Sequence, residues 1–191
     1  MHLELAVPAL LAVRTEESLP ALELLLARGR RRAGGRMGLE EWLKEKFNLD
    51  EKFLPAGALT ALALGVDPGD RFWMRADPVH LRADRDRLLL FPAQGFALGA
   101  AEAEQLGAAL DRHFSDRFLL KVLRPDVWVL ETQIEAAFES KLPIELTGAN
   151  VDAHLPDKRW HALLNEIQMA LYQHPVSTAR EERGEPVVNS V

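Results

Sequence analysis

The sequence predicts a mixed α/β protein of the α+β kind, with a central antiparallel ββαββ unit flanked by helices. Between residues 65 and 131, short strand-like runs are separated by tight turns, and such short connections favour antiparallel pairing. One amphipathic segment lies between the two pairs of strands, so the helix is expected on one face of the sheet. The flanking segments place apolar residues at helical spacing. A chain of 191 residues is long enough for one ordinary domain or two small ones.

The first third, residues 1–64, is predicted to be the helix-rich start of a core domain. Residues 2–7 are expected to form a strand. Ser18 can cap a helix that continues to Arg28, with a proline in its first turn. Further helices are expected over residues 39–47 and 56–64. Residues 28–36 (RGRRRAGGR) form a basic, glycine-rich loop that is either a phosphate-binding loop or, as we favour, a solvated one.

The middle third, residues 65–131, contains the predicted ββαββ unit. Its first strand covers residues 71–76 and is expected to turn Phe72, Met74 and Ala76 inward. A charged turn over residues 82–86 then leads to a second strand over residues 87–91. A helix is predicted for residues 100–114, followed by strands over residues 118–123 and 127–131.

The last third, residues 132–191, is expected to return to the core through one long helix over residues 157–173. His174 and Pro175 should end that helix, because the residue before a proline avoids the helical region. The tail after residue 179 ends on a short apolar run with no capping element, which indicates a chain truncated at its C-terminus.

The composition limits the classes of function. The absence of cysteine excludes disulfides, thiol catalysis and thiolate zinc sites, and it favours the cytoplasm. A net charge of −6 argues against a nucleic-acid partner. The longest apolar runs are too short for a membrane span. Neither a metal-ligand motif nor a nucleophile motif occurs, so the sequence predicts no catalytic residue and no metal site.

The most concentrated polar group in the sequence consists of Arg75, Asp77, His80 and Arg82. Asp77 and His80 are spaced to form a hydrogen-bonded pair, and the two arginines suit an anionic ligand. The alternative is a strand end whose aspartate starts a turn and whose histidine packs locally.

A second group lies on and after the long helix and consists of Asn165, Glu166, His174 and Arg180. These side chains are expected on the polar flank and at the C-terminal end of that helix, where they can form a binding site. The alternative is a solvated face followed by a helix cap.

Four short segments resemble the RpfE-type regulatory protein family of proteobacteria: residues 73–81 (WMRADPVHL), 84–91 (DRDRLLLF), 164–169 (LNEIQM) and 174–176 (HPV). That family is similar to the archaeal type of cofactor-independent phosphoglycerate mutase, a member of the alkaline-phosphatase-like superfamily. The resemblance implies a fragment of that scaffold, with residues 65–131 as the small inserted domain.

The same resemblance implies that the mutase reaction is lost. The mutase needs a serine nucleophile and two metal ions, whereas the equivalent stretch here, residues 54–58 (LPAGA), has no serine. The family's C-terminal metal ligands would lie beyond Val191.

The leading hypothesis is therefore a non-catalytic regulatory protein that senses a phosphorylated or carboxylated metabolite at Arg75, His80 and Arg82. One alternative is a mutase or phosphatase that uses Mn²⁺ or Zn²⁺ and is completed by residues beyond Val191 or by another subunit. A second alternative is a protein-interaction module or homo-oligomer that uses apolar surface left exposed at Val187 and Val188.

Overall fold

The computed structural model describes residues 19–29, 39–49, 54–133, 143–154 and 158–191. The predicted strand over residues 2–7, the Ser18 cap and most of the basic loop lie outside the described residues. The chain divides into two compact units, residues 1–54 and 55–191. In the first unit, helices α1 (Pro20–Arg28) and α2 (Leu39–Phe47) agree with the predicted helices.

The second unit contains the remaining elements of the fold. Its helices are α3 (Ala56–Ala63), α4 (Ala100–His113), α5 (Lys158–Tyr172) and α6 (Pro175–Glu182). Its strands are β1 (Phe72–Arg75), β2 (Val79–Asp84), β3 (Arg87–Pro92), β4 (Phe118–Arg124) and β5 (Val127–Thr132). Short 3₁₀ helices cover Ala93–Gly95, Pro143–Leu146 and Val151–His154. None of the helices in these described ranges combines the length and the apolarity that a membrane crossing requires.

A three-stranded antiparallel sheet in the order β1-β5-β4 forms the centre of the second unit, and both of its faces are covered. On one face, Trp128 and Leu130 of β5 pack with Leu106 and Leu110 of α4, and with Leu171 of α5, in the main core. The predicted helix and the β4–β5 hairpin are thereby confirmed.

The opposite face of this sheet is also buried, which the predicted orientation of β1 did not include. Trp73 is only 8% exposed and packs with Ala61 and Val129, whereas Phe72 is 43% exposed. Helix α3 covers this face because Gly57 allows a very close approach: a Cβ atom there would lie 2.4 Å from the backbone carbonyl of Trp73. Met74 and Ala76 do pack in the main core on the first face, as predicted, and only Phe72 is exposed. Because this sheet is buried on both faces, the alternation pattern identified one buried face and missed the other, where Trp73 lies.

Strands β2 and β3 form a separate antiparallel ribbon. The prediction placed a turn over residues 82–86, but strand β2 continues to Asp84 and the turn begins at Arg85, which has φ 55°. The central order is therefore βββαββ in two small sheets, not ββαββ in one. The sequence predicted a turn because charged residues are concentrated after Pro78. The start of β2 nevertheless alternates as a strand exposed on one face does, with Val79 and Leu81 buried and His80 and Arg82 on the other side.

The C-terminal segment covers the outer edge of β2. The Val79 N–H donates to the carbonyl of Ser190, and the Asn189 side chain bonds to both the N–H and the carbonyl of Leu81 at 2.6 and 2.8 Å. Val188 is fully buried in the main core, so the expectation of an exposed apolar surface there is wrong. Helix α6, which follows His174, was not predicted.

Candidate anion-binding cleft

The outer face of the β2–β3 ribbon carries the polar residues of interest. Val79, Leu81 and Leu90 point to the buried side and pack with Leu146 and Val151. Because side chains alternate along a strand, the opposite side presents His80 and Arg82.

On this outer face, the register places His80 directly opposite Phe91 on β3. The guanidinium carbon of Arg82 lies 4.8 Å from the centroid of the Phe91 ring, a cation–π contact with the diagonal neighbour. The ribbon thus brings His80 and Arg82 together, as the sequence suggested.

His80 is oriented by the C-terminal segment. Its Nδ1 lies 2.9 Å from the carbonyl oxygen of Val187. A carbonyl can only accept a hydrogen bond, so Nδ1 carries the proton and Nε2 is the nitrogen left for other interactions. When the imidazole is protonated, Nε2 also becomes a donor, which suits an anion.

A cleft of about 320 Å³ opens beside these two residues. Its apolar walls are formed by Phe91, Pro92, Phe96 and Pro186. Arg82 is exposed and, within the part of the chain that the structure describes, forms no ion pair. The cleft therefore combines apolar walls with one cationic side chain that no described carboxylate neutralises.

A second, more open depression of about 400 Å³ shares Gln94 and Phe96 with the cleft. Its described lining includes a carboxylate, Asp126, and no cationic side chain. The cleft beside His80 and Arg82 is therefore the better site for an anion.

Arg75 and Asp77, the other half of the first predicted group, are used inside the fold. Asp77 is 3% exposed and forms a bidentate pair with Arg75, whose Nη2 and Nε lie 2.5 and 3.1 Å from the two carboxylate oxygens. Asp77 also accepts the backbone N–H of Trp128, and Arg75 donates to Thr60.

Burial raises the pKa of Asp77, while Arg75 and the Trp128 N–H oppose that shift. Since its carboxylate oxygens are bonded to these groups and His80 bonds to Val187 instead, the predicted Asp77–His80 pair does not form. The pair of Arg75 and Asp77 connects β1 to β5 and α3 rather than facing a ligand.

Arg180, from the second predicted group, lies behind the cleft. It is 1% exposed, and its guanidinium donates to the carbonyls of Pro186 and Ala97 and to the carboxylate of Glu102 at 2.8, 3.1 and 2.6 Å. Its guanidinium carbon also lies 5.6 Å from the centroid of the Phe96 ring. Arg180 therefore holds two of the cleft's walls from the interior.

Partial burial opposes ionisation of Glu102, but the Gly99 N–H, Arg183 and Arg180 outweigh it and hold the pKa of Glu102 below its usual value. The carboxylate that neutralises Arg180 is therefore charged at neutral pH. Arg180 is satisfied internally and is not a cation offered to a ligand.

The other members of the second group do not converge on one site. Glu166 contacts Arg117 at 2.5 Å, and the hydrogen bond from Arg117 lowers the pKa of Glu166. His174 caps α6 by accepting the N–H of Val176 at 3.3 Å, and burial lowers the pKa of His174. Asn165 is exposed on α5. In the described structure these residues serve as a surface ion pair, a helix cap and a polar surface.

The sequence reasoning missed the apolar half of the cleft. Phe91 lies in a predicted strand, but its position on the same face as His80 can be deduced only once β2 is known to be its pairing partner. Phe96 and Pro186 lie in irregular segments far apart in sequence, so no periodic pattern could bring them together.

Comparison with protein-family models, with curated proteins and with solved structures finds no match for this chain. Among the residues that the structure describes, no three histidine, aspartate or glutamate side chains lie close enough to hold a metal ion. The fold is a mixed α/β structure with two small antiparallel sheets.

Proposed function

We propose that this chain is a regulatory ligand-binding protein that takes a small phosphorylated or carboxylated molecule at Arg82 and His80. The observation that carries the proposal is an exposed guanidinium, unpaired within the described residues, at the mouth of a cleft. The proposed kinship to RpfE-type proteins and the mutase-like scaffold is compatible with this role, because a scaffold can keep a binding site after its reaction is lost.

The chemistry of Arg82 suits an anionic head group. A guanidinium presents a planar fork of N–H donors that matches two oxygens of a carboxylate or phosphate. Phe91 supports the guanidinium from one face, which reduces the conformational freedom that binding has to remove. His80 adds a second donor when its Nε2 is protonated, since Nδ1 is engaged with Val187.

The proposal is for binding rather than catalysis because of what lines the cleft. Its described lining offers one histidine as a general acid or base, but neither a serine nor a pair of carboxylates to act with it. The absence of cysteine from the whole chain supports the cytoplasm as the proposed location.

A thermal-shift series tests this function. Inorganic phosphate, 3-phosphoglycerate and citrate are added to the protein, and a ligand at 100 times its Kd should raise stability by about 2.7 kcal/mol. The Arg82→Gln variant should lose the shift.

The matched control for this series is Arg87→Gln. It removes the same charge from an exposed position on the adjacent strand, at a residue that does not line the cleft. A shift that survives in Arg82→Gln, or one lost equally in both variants, would contradict binding at this cleft.

A further inference from the structure

The side chains that line the cleft restrict the class of ligand further than its positive charge alone does. Building on the proposed function, we infer that the ligand is an aromatic carboxylate, with its carboxylate on Arg82 and its ring beside Phe91 and Phe96. The inference rests on the chemistry of the lining, the number of positive charges and the way the walls are held.

The lining favours an apolar, flat body over a polyhydroxylated one. Phe96 is half-buried, Pro92 is buried, and Phe91 and Pro186 complete the apolar surface. The lining also includes the polar side chains of Gln94 and Thr147, but hydroxyl groups placed against the four apolar side chains would lose their water without gaining hydrogen bonds. A ring instead gains burial and favourable packing against the phenylalanine rings.

The size of the cleft limits the body of the ligand. About 320 Å³ is at the lower end of the range for small-molecule sites. This space accommodates one ring with a short link to its carboxylate, and it leaves the charged head at the exposed guanidinium.

The charge of the lining matches a carboxylate better than a phosphate ester. Arg82 is the one permanently cationic side chain of the described lining, and His80 adds a second positive charge only when protonated. A carboxylate carries one negative charge and pairs with one guanidinium fork, whereas a phosphate monoester approaches two charges at neutral pH.

The apolar walls are held in place from behind. The Nε of Arg180 donates to the Pro186 carbonyl at 2.8 Å, and its guanidinium lies against Phe96. Because Arg180 is itself fixed by Glu102, the two walls are held in the positions that a ring would contact before any ligand arrives.

An NMR titration of the full chain tests the inference with three probes: acetate, phenylacetate and phenyl phosphate. We expect phenylacetate to bind at least about tenfold more tightly than acetate, since the ring buries apolar area that acetate lacks. The amides of residues 80–82 and 91–96 should shift. Phe96→Leu should reduce the preference for phenylacetate over acetate, because it removes one of the two rings beside the proposed ligand ring.

The outcomes separate this inference from the proposed function. Equal binding of acetate and phenylacetate overturns the aromatic ligand but leaves anion binding intact. Phenyl phosphate that binds tenfold more tightly than phenylacetate overturns the carboxylate head group. No shift with any probe overturns the inference and the proposed function together. The wild-type series decides the matter even if Phe96→Leu fails to fold.

Discussion

Replacing Arg180 with methionine should destabilise the protein far more than the same change at Arg183, although both arginines bond to Glu102. Arg180 is 1% exposed and Arg183 is 46% exposed. Methionine fills a similar volume, so the variant removes the charge and its hydrogen bonds without leaving a large cavity. The two arginines share the same two carboxylate partners, Glu102 and Glu185, so the pair of variants compares a buried with an exposed member of one network.

The magnitude follows from the contacts. Arg180→Met removes three hydrogen bonds, to Pro186, Ala97 and Glu102, and a longer ion pair with Glu185 at 3.4 Å. Breaking a buried ion pair typically costs about 3–5 kcal/mol. Glu102 keeps Arg183 and the Gly99 N–H, and the residues that carry the two carbonyls are themselves exposed. The free energy of unfolding should therefore fall by about 3 kcal/mol, near the lower end of that range.

The control change, Arg183→Met, removes two solvent-exposed ion pairs, with Glu102 and Glu185, and should cost about 1 kcal/mol or less. Urea unfolding followed by tryptophan fluorescence gives both values, provided that the slope with denaturant is unchanged. Equal losses in the two variants would refute the assignment of Arg180 as the buried centre of this network. In addition, Arg180→Met should weaken phenylacetate binding, because Pro186 and Phe96 lose their support.

Three further predictions concern the pH dependence, the packing of α3 and the covering of β2. Burial lowers the pKa of His174 below 6.5, so the unfolded chain takes up this proton first and the free energy of unfolding should fall as the pH drops through 6.5. His174→Asn keeps a capping side chain and should lose less stability than the wild type in thermal melts between pH 7.5 and 5.5. Identical pH profiles for the two proteins would contradict this. Gly57→Ala places a methyl group 2.4 Å from the Trp73 backbone and should lower the free energy of unfolding by about 3 kcal/mol. The control Gly95→Ala, with nothing within 4 Å of its Cβ, should leave the Tm unchanged in the same melting assay. Similar Tm values for the two variants would refute the close approach of α3 to β1. Asn189→Ala should speed hydrogen exchange at an amide of β2, that of residue 81, by removing its partner, and an unchanged rate there would contradict the covering of this strand edge.

The sequence predicted most helices because their signals are local. Apolar spacing located α2, α4 and α5, and the turn at Pro125 located the β4–β5 hairpin. Strand β2 was missed because its outward residues are charged, and because its covered edge depends on Asn189, more than a hundred positions away. Local patterns do not contain that contact.

The candidate site was half predictable for the same reason. His80 and Arg82 are two residues apart, so a single strand brings them to one face. Arg75 and Asp77 look equally polar in sequence, but the burial of Asp77 under Trp128 makes them a structural pair. Whether an arginine is available to a ligand depends on which carboxylate lies beside it, and this information is absent from the sequence pattern.

Binding of an anion at Arg82 is tested most directly by a crystal structure of the protein grown with phenylacetate. We expect the carboxylate about 3 Å from the Arg82 guanidinium, with the ring against Phe96. A carboxylate bound at another cation, with the cleft filled only by solvent, would contradict it.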